Sequence, residues 1–498
     1  MTTPTYPGVY IQELPSGVHT ITGVATSIAA FIGWAPQGPV GQATLVQSWG
    51  DFQSQFGGLY SGVYLGYAVN QFFANGGQQA YIVRLVKGAT TATGSASGIE
   101  LWASSPGDWA NAFTVNFTVG PDASSFGMQV LDGTGSVRES FVNLSINPTA
   151  PRYAPTVIDS DSQYVTFINP ATPTQPPPVP AAVPTGSLTF TTAGSAGTVL
   201  TDPTDADFAG QLGNLGDVQA LFGSAPVNIV CVPGLTSATA EGAAAIDYLQ
   251  QFCLGARAFC IVDSPQLATV ANVTQGLPNT APEAANSAMY FPWVSAPDPL
   301  VGGRLALMPP CGLVAGVYAA TDASRGVWKA PAGIDAGLGG IAGLQYALTD
   351  LQNGQINPHG VNCLRYFPTY GNVVWGARTL LGADTVGSQW KYVPIRRFAL
   401  FLESSLYDGT QWVVFEPNDE TLWGQIRLNV GAFMQGLFLK GAFQGTTPQQ
   451  AYFVKCDAEN NPQSSINQGI VTIEVGFAPL YPAEFVIIQI QQMMAGLA

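Results

Sequence analysis

The stretch that decides the fold is 227–263, VNIVCVPGLTSATAEGAAAIDYLQQFCLGARAFCIVD. Val227–Val232 and Ala258–Val262 are short, continuously apolar, β-branched runs, the pattern of strands buried on both faces. Ala243–Cys253 between them predicts a helix, and a helical crossover lets two neighbouring strands run parallel. Met289–Val294 predicts a third strand of the same kind, so residues 206–360 form an α/β domain.

Upstream, TSIAAFIGWAPQGP (26–39) predicts a strand-rich block. A helix around 62–74 carries Leu65, Val69 and Phe72 on one face, and Asn75-Gly76-Gly77 ends it. Ala80–Val86 then predicts a buried strand. Residues 90–205 are rich in Thr, Ser, Gly and Pro, with short β-like pieces at Phe113–Val119, Ser140–Ile146 and Tyr164–Ile168. The tract Pro170–Pro184 favours polyproline II and cannot sit in a central strand. This region is expected to be an inserted, peripheral β-rich domain with a semi-rigid linker. Downstream, residues 361–498 alternate strands with one clear helix, about Glu420–Lys440. No internal repeat is visible.

Charged residues are 9% of the 498 and apolar residues 47%, whereas ordinary soluble domains carry about 25% charge. So weakly hydrated a surface suits a protein whose neighbours cover it. The length predicts roughly two to four domains. The net charge of −15 is uneven, with 6 basic and 19 acidic residues in 1–324 but 10 and 12 in 325–498. Strong acidity argues against nucleic acid and against an anionic membrane as partner, and places any contact with an acidic partner in the final third. The six cysteines lack CxxC spacing and predict buried thiols of a reducing compartment. Residues 1–20 carry no Lys or Arg and no apolar core, so no secretory leader is expected, and no uncharged apolar run reaches about 18 residues.

Catalysis finds little material. The only histidines are His19, beside Gly17 and Thr20, and His359, after Asn357-Pro358 in a turn; no GxSxG elbow supplies a nucleophile. There is no phosphate-binding GxxxxGK[ST], and Gly337-Leu338-Gly339-Gly340 does not complete GxGxxG and is expected as a tight loop. Asp263 ends a parallel strand, where α/β clefts lie, but before Ser-Pro it is also a turn or cap residue, the reading favoured here. Asp202, Asp205 and Asp207 predict a solvated acidic turn, no spacing predicts a metal site, and no cofactor is expected.

The two ends are different. Val9–Glu13, among prolines at 4, 7 and 15, and Phe485–Gln491 are β-prone and lack a nearby hairpin mate. Such strands seek a sheet edge, either of their own chain or of another copy, and the pattern alone leaves the two open.

Specific motifs then tie the chain to a family. YPGVYIQE (6–13), TSIAAFIGWAPQGP (26–39) and FFANGGQQAYIVRL (72–85), with RGVWKAPAG (325–333), WGARTL (375–380), PIRRF (394–398), VFEPN (414–418) and GFAPLYPAEFVIIQIQQ (476–492), resemble contractile tail sheath proteins of phages and bacterial contractile injection systems. The resemblance covers about 1–90 and 320–498.

It implies an α/β and α+β multidomain fold: an N-terminal arm (1–20), a first part of the sheath core (21–90), the inserted domain (91–205), the α/β domain (206–360), the C-terminal sheath core (361–479) and a C-terminal arm (480–498). It implies a structural subunit and not an enzyme, polymerising as stacked hexameric rings around an inner tube and contracting to drive that tube through a target envelope. Partners would be other copies of the chain, the inner tube, and baseplate and tail terminator proteins, with no nucleic acid and no membrane insertion. The particle would assemble in the cytoplasm as part of a virion tail or injection machine. Intersubunit arm residues would be Tyr6, Val9, Tyr10, Ile11, Phe485, Val486, Ile488 and Ile490, and tube contacts Arg427 and Lys440 on the 420–440 helix. Arg378, Arg396 and Arg397 are candidates for core ion pairs, with Glu403 and Glu416 as the acids.

Overall fold

The apolar runs of 227–263 become adjacent parallel strands, Ile229–Cys231 and Phe259–Asp263, with Ile229 opposite Phe259 and Cys231 opposite Ile261. The helix between them extends over Ala240–Ala256, longer than its apolar centre suggested, because Thr239 caps it by accepting from the Gly242 N–H at 3.0 Å. The structure is a computed structural model and describes residues 19–96, 98–122, 124–170, 172–174, 182–215, 222 and 225–489. It holds two units, one formed by Ala25–Arg397 and one by the described residues before Ala25 with those from Phe398 onward.

The first unit is organised by an eight-stranded sheet. Across it the strands run Gly371–Trp375, Val361–Phe367, Ser287–Phe291, Phe259–Asp263, Ile229–Cys231, Ala29–Gly33, Ala80–Arg84 and Thr44–Val46. The six central strands are parallel and the two edges pair antiparallel. Ala29–Gly33, Phe259–Asp263 and Ser287–Phe291 are buried throughout, as continuous apolar strands require. The expected strand Met289–Val294 is corrected in its bounds. It spans Ser287–Phe291 because Pro292 has no N–H to continue a ladder, and Val294–Asp298 opens a separate three-stranded antiparallel sheet with Arg304–Met308 and Gly343–Leu344.

The helix anticipated at 62–74 is Leu65–Ala74 and packs on Cys311–Arg325. Glycine permits this approach, since a Cβ at Gly312 would lie 2.3 Å from the Ala68 carbonyl oxygen. Residues 92–190 build a core of their own around Phe117, Phe126, Met128, Leu144 and Phe167. It lies with a four-stranded sheet (Gly186–Thr189, Thr114–Val119, Ser125–Leu131, Val137–Ser145) and a three-stranded one (Thr93–Ala96, Ile99–Ala103, Val165–Thr166). Most of the proline tract lies outside the described residues.

Buried arginines fix several junctions. Among the described residues Arg84 pairs with no carboxylate; its guanidinium donates to the carbonyls of Ala35 (2.7 Å), Gly38 (2.7 Å), Pro36 (3.0 Å) and Pro106 (2.8 Å), and burial lowers its pKa to about 10. Arg378 pairs with Asp384 at 2.9 Å and Arg397 with Asp322 at 2.7 Å, so both take part in ion pairs as anticipated, here with aspartates.

Candidate assembly surface

In the second unit, the helix Glu420–Leu439 is started by Asp419, whose carboxylate accepts from Thr421 N (2.9 Å) and Leu422 N (3.0 Å). Against it lies a two-stranded antiparallel sheet, Tyr452–Lys455 with Glu474–Phe477. Tyr452 donates from its hydroxyl to Gln435 Oε1 at 3.0 Å. Its pair partner Phe477 joins Phe398 and Phe443 in an aromatic cluster with centroids 5.3–6.4 Å apart. Two strands alone are marginal, and packing on a helix makes them tenable. Among the described residues neither outer edge of this sheet is paired in a ladder.

The chain leaves this sheet in a defined way. Ala478 N–H donates to Ala451 O at 2.8 Å, Gln444 N–H to Ala478 O at 3.0 Å, and Pro479 bridges Phe443. Beyond that, 480–489 join no strand among the described residues, and Phe485, Val486, Ile487 and Ile488 are 72%, 80%, 83% and 79% exposed. Four consecutive exposed apolar side chains would, as a strand, put apolar groups on both faces, so both faces need cover.

At the other end, residues 19–24 lie along helices of the same unit. His19 N–H donates to Asn429 Oδ1 at 3.1 Å and its ring stacks on Trp412 at 4.1 Å; Val24 N–H donates to Ser405 Oγ at 3.1 Å. Asn429 Nδ2 and Trp412 Nε1 are buried and lack an acceptor among the described residues. Tyr6, Val9, Tyr10, Ile11 and Ile490 lie outside the described residues, whereas Phe485, Val486 and Ile488 lie in the exposed run. Arg427 is engaged within the chain, donating to Glu420 Oε1 at 2.6 Å and to the Cys456 carbonyl, and Lys440 is exposed at the helix C-terminus.

One feature of the same unit was not legible in advance. Phe415, in VFEPN, is wholly exposed and has a φ of 71°, a left-handed conformation that bulky residues avoid. Asn418 braces the turn, accepting from Trp423 Nε1 at 2.9 Å and donating to Ile470 O at 3.0 Å.

The candidate residues for chemistry occupy structural positions. Asp263 accepts from Gly234 N and from Cys311 N, both at 2.9 Å, so it is a cap as expected, but of a helix 48 residues away. Burial raises its pKa to about 7, against the backbone N–H groups, which favour the charged form. Asp205 caps the helix Ala206–Asn214, Asp202 holds Thr204, and Asp207 pairs with Lys87. His359 sits in the short 3₁₀ turn Asn357–His359 and the Gly337–Gly340 loop is held by Asn75. All six cysteines are buried free thiols. Among the described residues there is no cluster of His, Cys, Asp or Glu able to hold a metal, and no helix long and apolar enough to cross a membrane.

The chain thus comprises an α/β sheet unit and a helical unit that carries a two-stranded sheet, unpaired at its outer edges among the described residues. Residues 210–380 match the family model described as the phage tail sheath protein central domain, and 385–493 the phage tail sheath C-terminal domain. The chain belongs to the phage tail sheath protein family.

Its sequence is 25% identical over 181 residues to the tail sheath protein of Vibrio phage KVP40, a match spanning 36% of this chain and 26% of that protein. It is 26% identical over 180 residues to a putative prophage major tail sheath protein of Pseudomonas aeruginosa strain UCBPP-PA14, spanning 35% of this chain and 44% of that one. The alignments thus reach about a quarter and under half of these relatives' lengths. In fold, the chain is similar to the helical sheath of the anti-feeding prophage in its contracted state, with a TM-score of 0.61, 23% identity, and coverage of 99% of this chain and 100% of that one.

Proposed function

We propose that this protein is the structural subunit of a contractile sheath, stacking as hexameric rings around an inner tube and contracting to drive the tube through a target envelope. The observation that supports it most is the exposed strand-forming run Phe485–Ile488, in the same unit as a two-stranded sheet with open edges. The fold likeness over the whole chain to a contracted helical sheath points the same way. Arms at about 1–20 and 480–498 add strands to the small sheet of neighbouring copies, where backbone hydrogen bonds supply affinity and alternating side chains supply register. The buried donors of Trp412 and Asn429 offer positions for carbonyls of an added segment.

The role is mechanical, not enzymatic. A contracting lattice releases energy only if its final state has the better-buried, better-matched contacts. The arms keep their ladders through the change and act as tethers, while the bodies that they connect supply the force. The inserted domain at 91–205 is peripheral. The inner tube meets the helix Glu420–Leu439 near Lys440 and Arg427, and baseplate and terminator proteins bound the polymer. Assembly takes place in the cytoplasm, and the product is a phage tail or an injection particle. Negative-stain microscopy of the purified protein tests the reading: striated hollow tubes are expected, and flat lattices or uniform monomers overturn it.

A further inference from the structure

The helix Cys311–Arg325 ends beside a cavity of about 100 Å³ lined by Asn75, Thr321, Ser324, Arg325, Lys329 and Asp335. Two cations share it in a chain that is otherwise strongly acidic. Lys329 reaches inward and its ammonium donates to the carbonyls of Ala330 (2.8 Å) and Ala332 (3.3 Å), which leaves one of its three N–H groups for a ligand among the described residues. Arg325 stands 3.8 Å from Asp335, whereas Arg397 and Asp322 close to 2.7 Å.

Burial, and then the nearby Arg325, lower the Lys329 pKa, while Asp335 acts the other way. The half-buried Lys329 ammonium is met by two neutral carbonyls, while the exposed Arg325 and Asp335 pair beside it, so an anion would add a charge-assisted contact to Lys329 and tip the local balance of two cations against one carboxylate. At about 30 Å³ of liquid volume per water, the cavity takes a carboxylate group with a water beside it.

We propose that this cavity is a receptor for a carboxylate side chain of a second copy of the chain, a contact between sheath subunits made by Arg325 and Lys329. Charge complementarity selects the occupant. Residues 1–324 carry 19 acidic side chains against 6 basic ones, so an abutting copy presents carboxylates in excess, and the cationic cavity opens the less acidic remainder of the chain. The inference rests on the polymeric reading above and deepens it.

The test uses tubes assembled from a mixture of ¹⁵N-labelled and unlabelled protein, treated with a carbodiimide that couples amines to carboxylates in contact. Peptides joining Lys329 of one isotopic form to an Asp or Glu of the other are expected. Tubes in which Lys329 couples only to its own Asp335, or to nothing, overturn the receptor. Wild-type protein that forms no tubes overturns the polymeric reading itself. In parallel, Arg325→Gln, at an exposed position that leaves the Lys329 carbonyl contacts in place, should raise the critical concentration for assembly about tenfold, the order of one charge-assisted contact. An unchanged value overturns the proposal. If inorganic phosphate shields Lys329 from acetylation in the unassembled protein and tube formation does not, the occupant is a free anion and the second-copy assignment fails.

Discussion

Arg397 and Asp322 face each other through two hydrogen bonds, Nη1 to Oδ1 at 2.9 Å and Nη2 to Oδ2 at 2.7 Å, with each side chain only 3% exposed. The same guanidinium donates to Thr26 O at 2.8 Å and lies 4.7 Å from the centre of the Tyr318 ring, whose hydroxyl meets that of Tyr290 at 2.6 Å. Burial disfavours the Arg397 charge, and Asp322 overcomes it, holding the pKa above its ordinary value. Removing one partner leaves the other buried without its counter-charge. Asp322→Asn should therefore destabilise the protein by about 3–5 kcal/mol in urea unfolding, and the double variant Asp322→Leu with Arg397→Met should lose less than that. A double variant worse than the single one contradicts the account.

Asp263 makes stability depend on pH. Its folded pKa of about 7 lies above the ordinary 3.8, so between those values the folded state holds a proton that the unfolded state has released. Its contribution is thus full below about pH 4 and is lost as pH rises toward 7, at about 1.4 kcal/mol per pH unit inside the window. Asp263→Asn should flatten this slope in denaturant midpoints measured from pH 4 to 8. It should also lower stability at every pH, because an amide has one acceptor for the two N–H groups of Gly234 and Cys311. An unchanged slope removes Asp263 as its source.

The sheet was legible because its strands are continuously apolar: Phe259–Asp263 lies within one residue of the run that predicted it, and the helix anticipated at Glu420–Lys440 spans Glu420–Leu439. What sequence could not supply were long-range polar partners. Asp263 before Ser-Pro predicts a turn or cap residue, but nothing in IVDSP points to Cys311, 48 residues later. Arg84 gave no sign that four carbonyls would replace an acid. Lys329 and Arg325 lay in a recognised motif, RGVWKAPAG, yet only the fold brings Asn75 beside them. Phe415 was hidden for a related reason, since nothing in VFEPN marks its aromatic residue for a positive φ.

Phe415 stores strain that can be released. A bulky residue in the left-handed region costs roughly 1–3 kcal/mol, while glycine there loses about 0.5–1 kcal/mol through its freer unfolded chain. The Phe415 side chain is wholly exposed, so its removal sacrifices no burial in the isolated chain. Phe415→Gly should raise unfolding stability of the unassembled protein by about 1 kcal/mol. Phe415→Ala, which keeps the Cβ and hence most of the strain, should change it little. A glycine variant that unfolds at lower denaturant contradicts the strain argument.

The tethering role of the ends is tested by substitutions that spare the bodies. In a strand spanning 485–490, Val486, Ile488 and Ile490 share one face, and a proline at 488 deletes one N–H from any ladder the segment joins. Because Ile488 is 79% exposed in the single chain, Ile488→Pro should leave thermal unfolding of the unassembled protein unchanged. If the segment pairs with another copy, the same variant abolishes tubes in negative stain. Ile488→Thr keeps the N–H and the β-branched shape, so it should restore polymers, with a higher critical concentration from lost apolar burial. Deleting residues 1–12 should likewise yield a folded protein unable to polymerise. Normal tubes from the proline variant show that the ladder at 488 is dispensable. Proline and threonine variants with equal defects assign the effect to side-chain burial and not to backbone pairing.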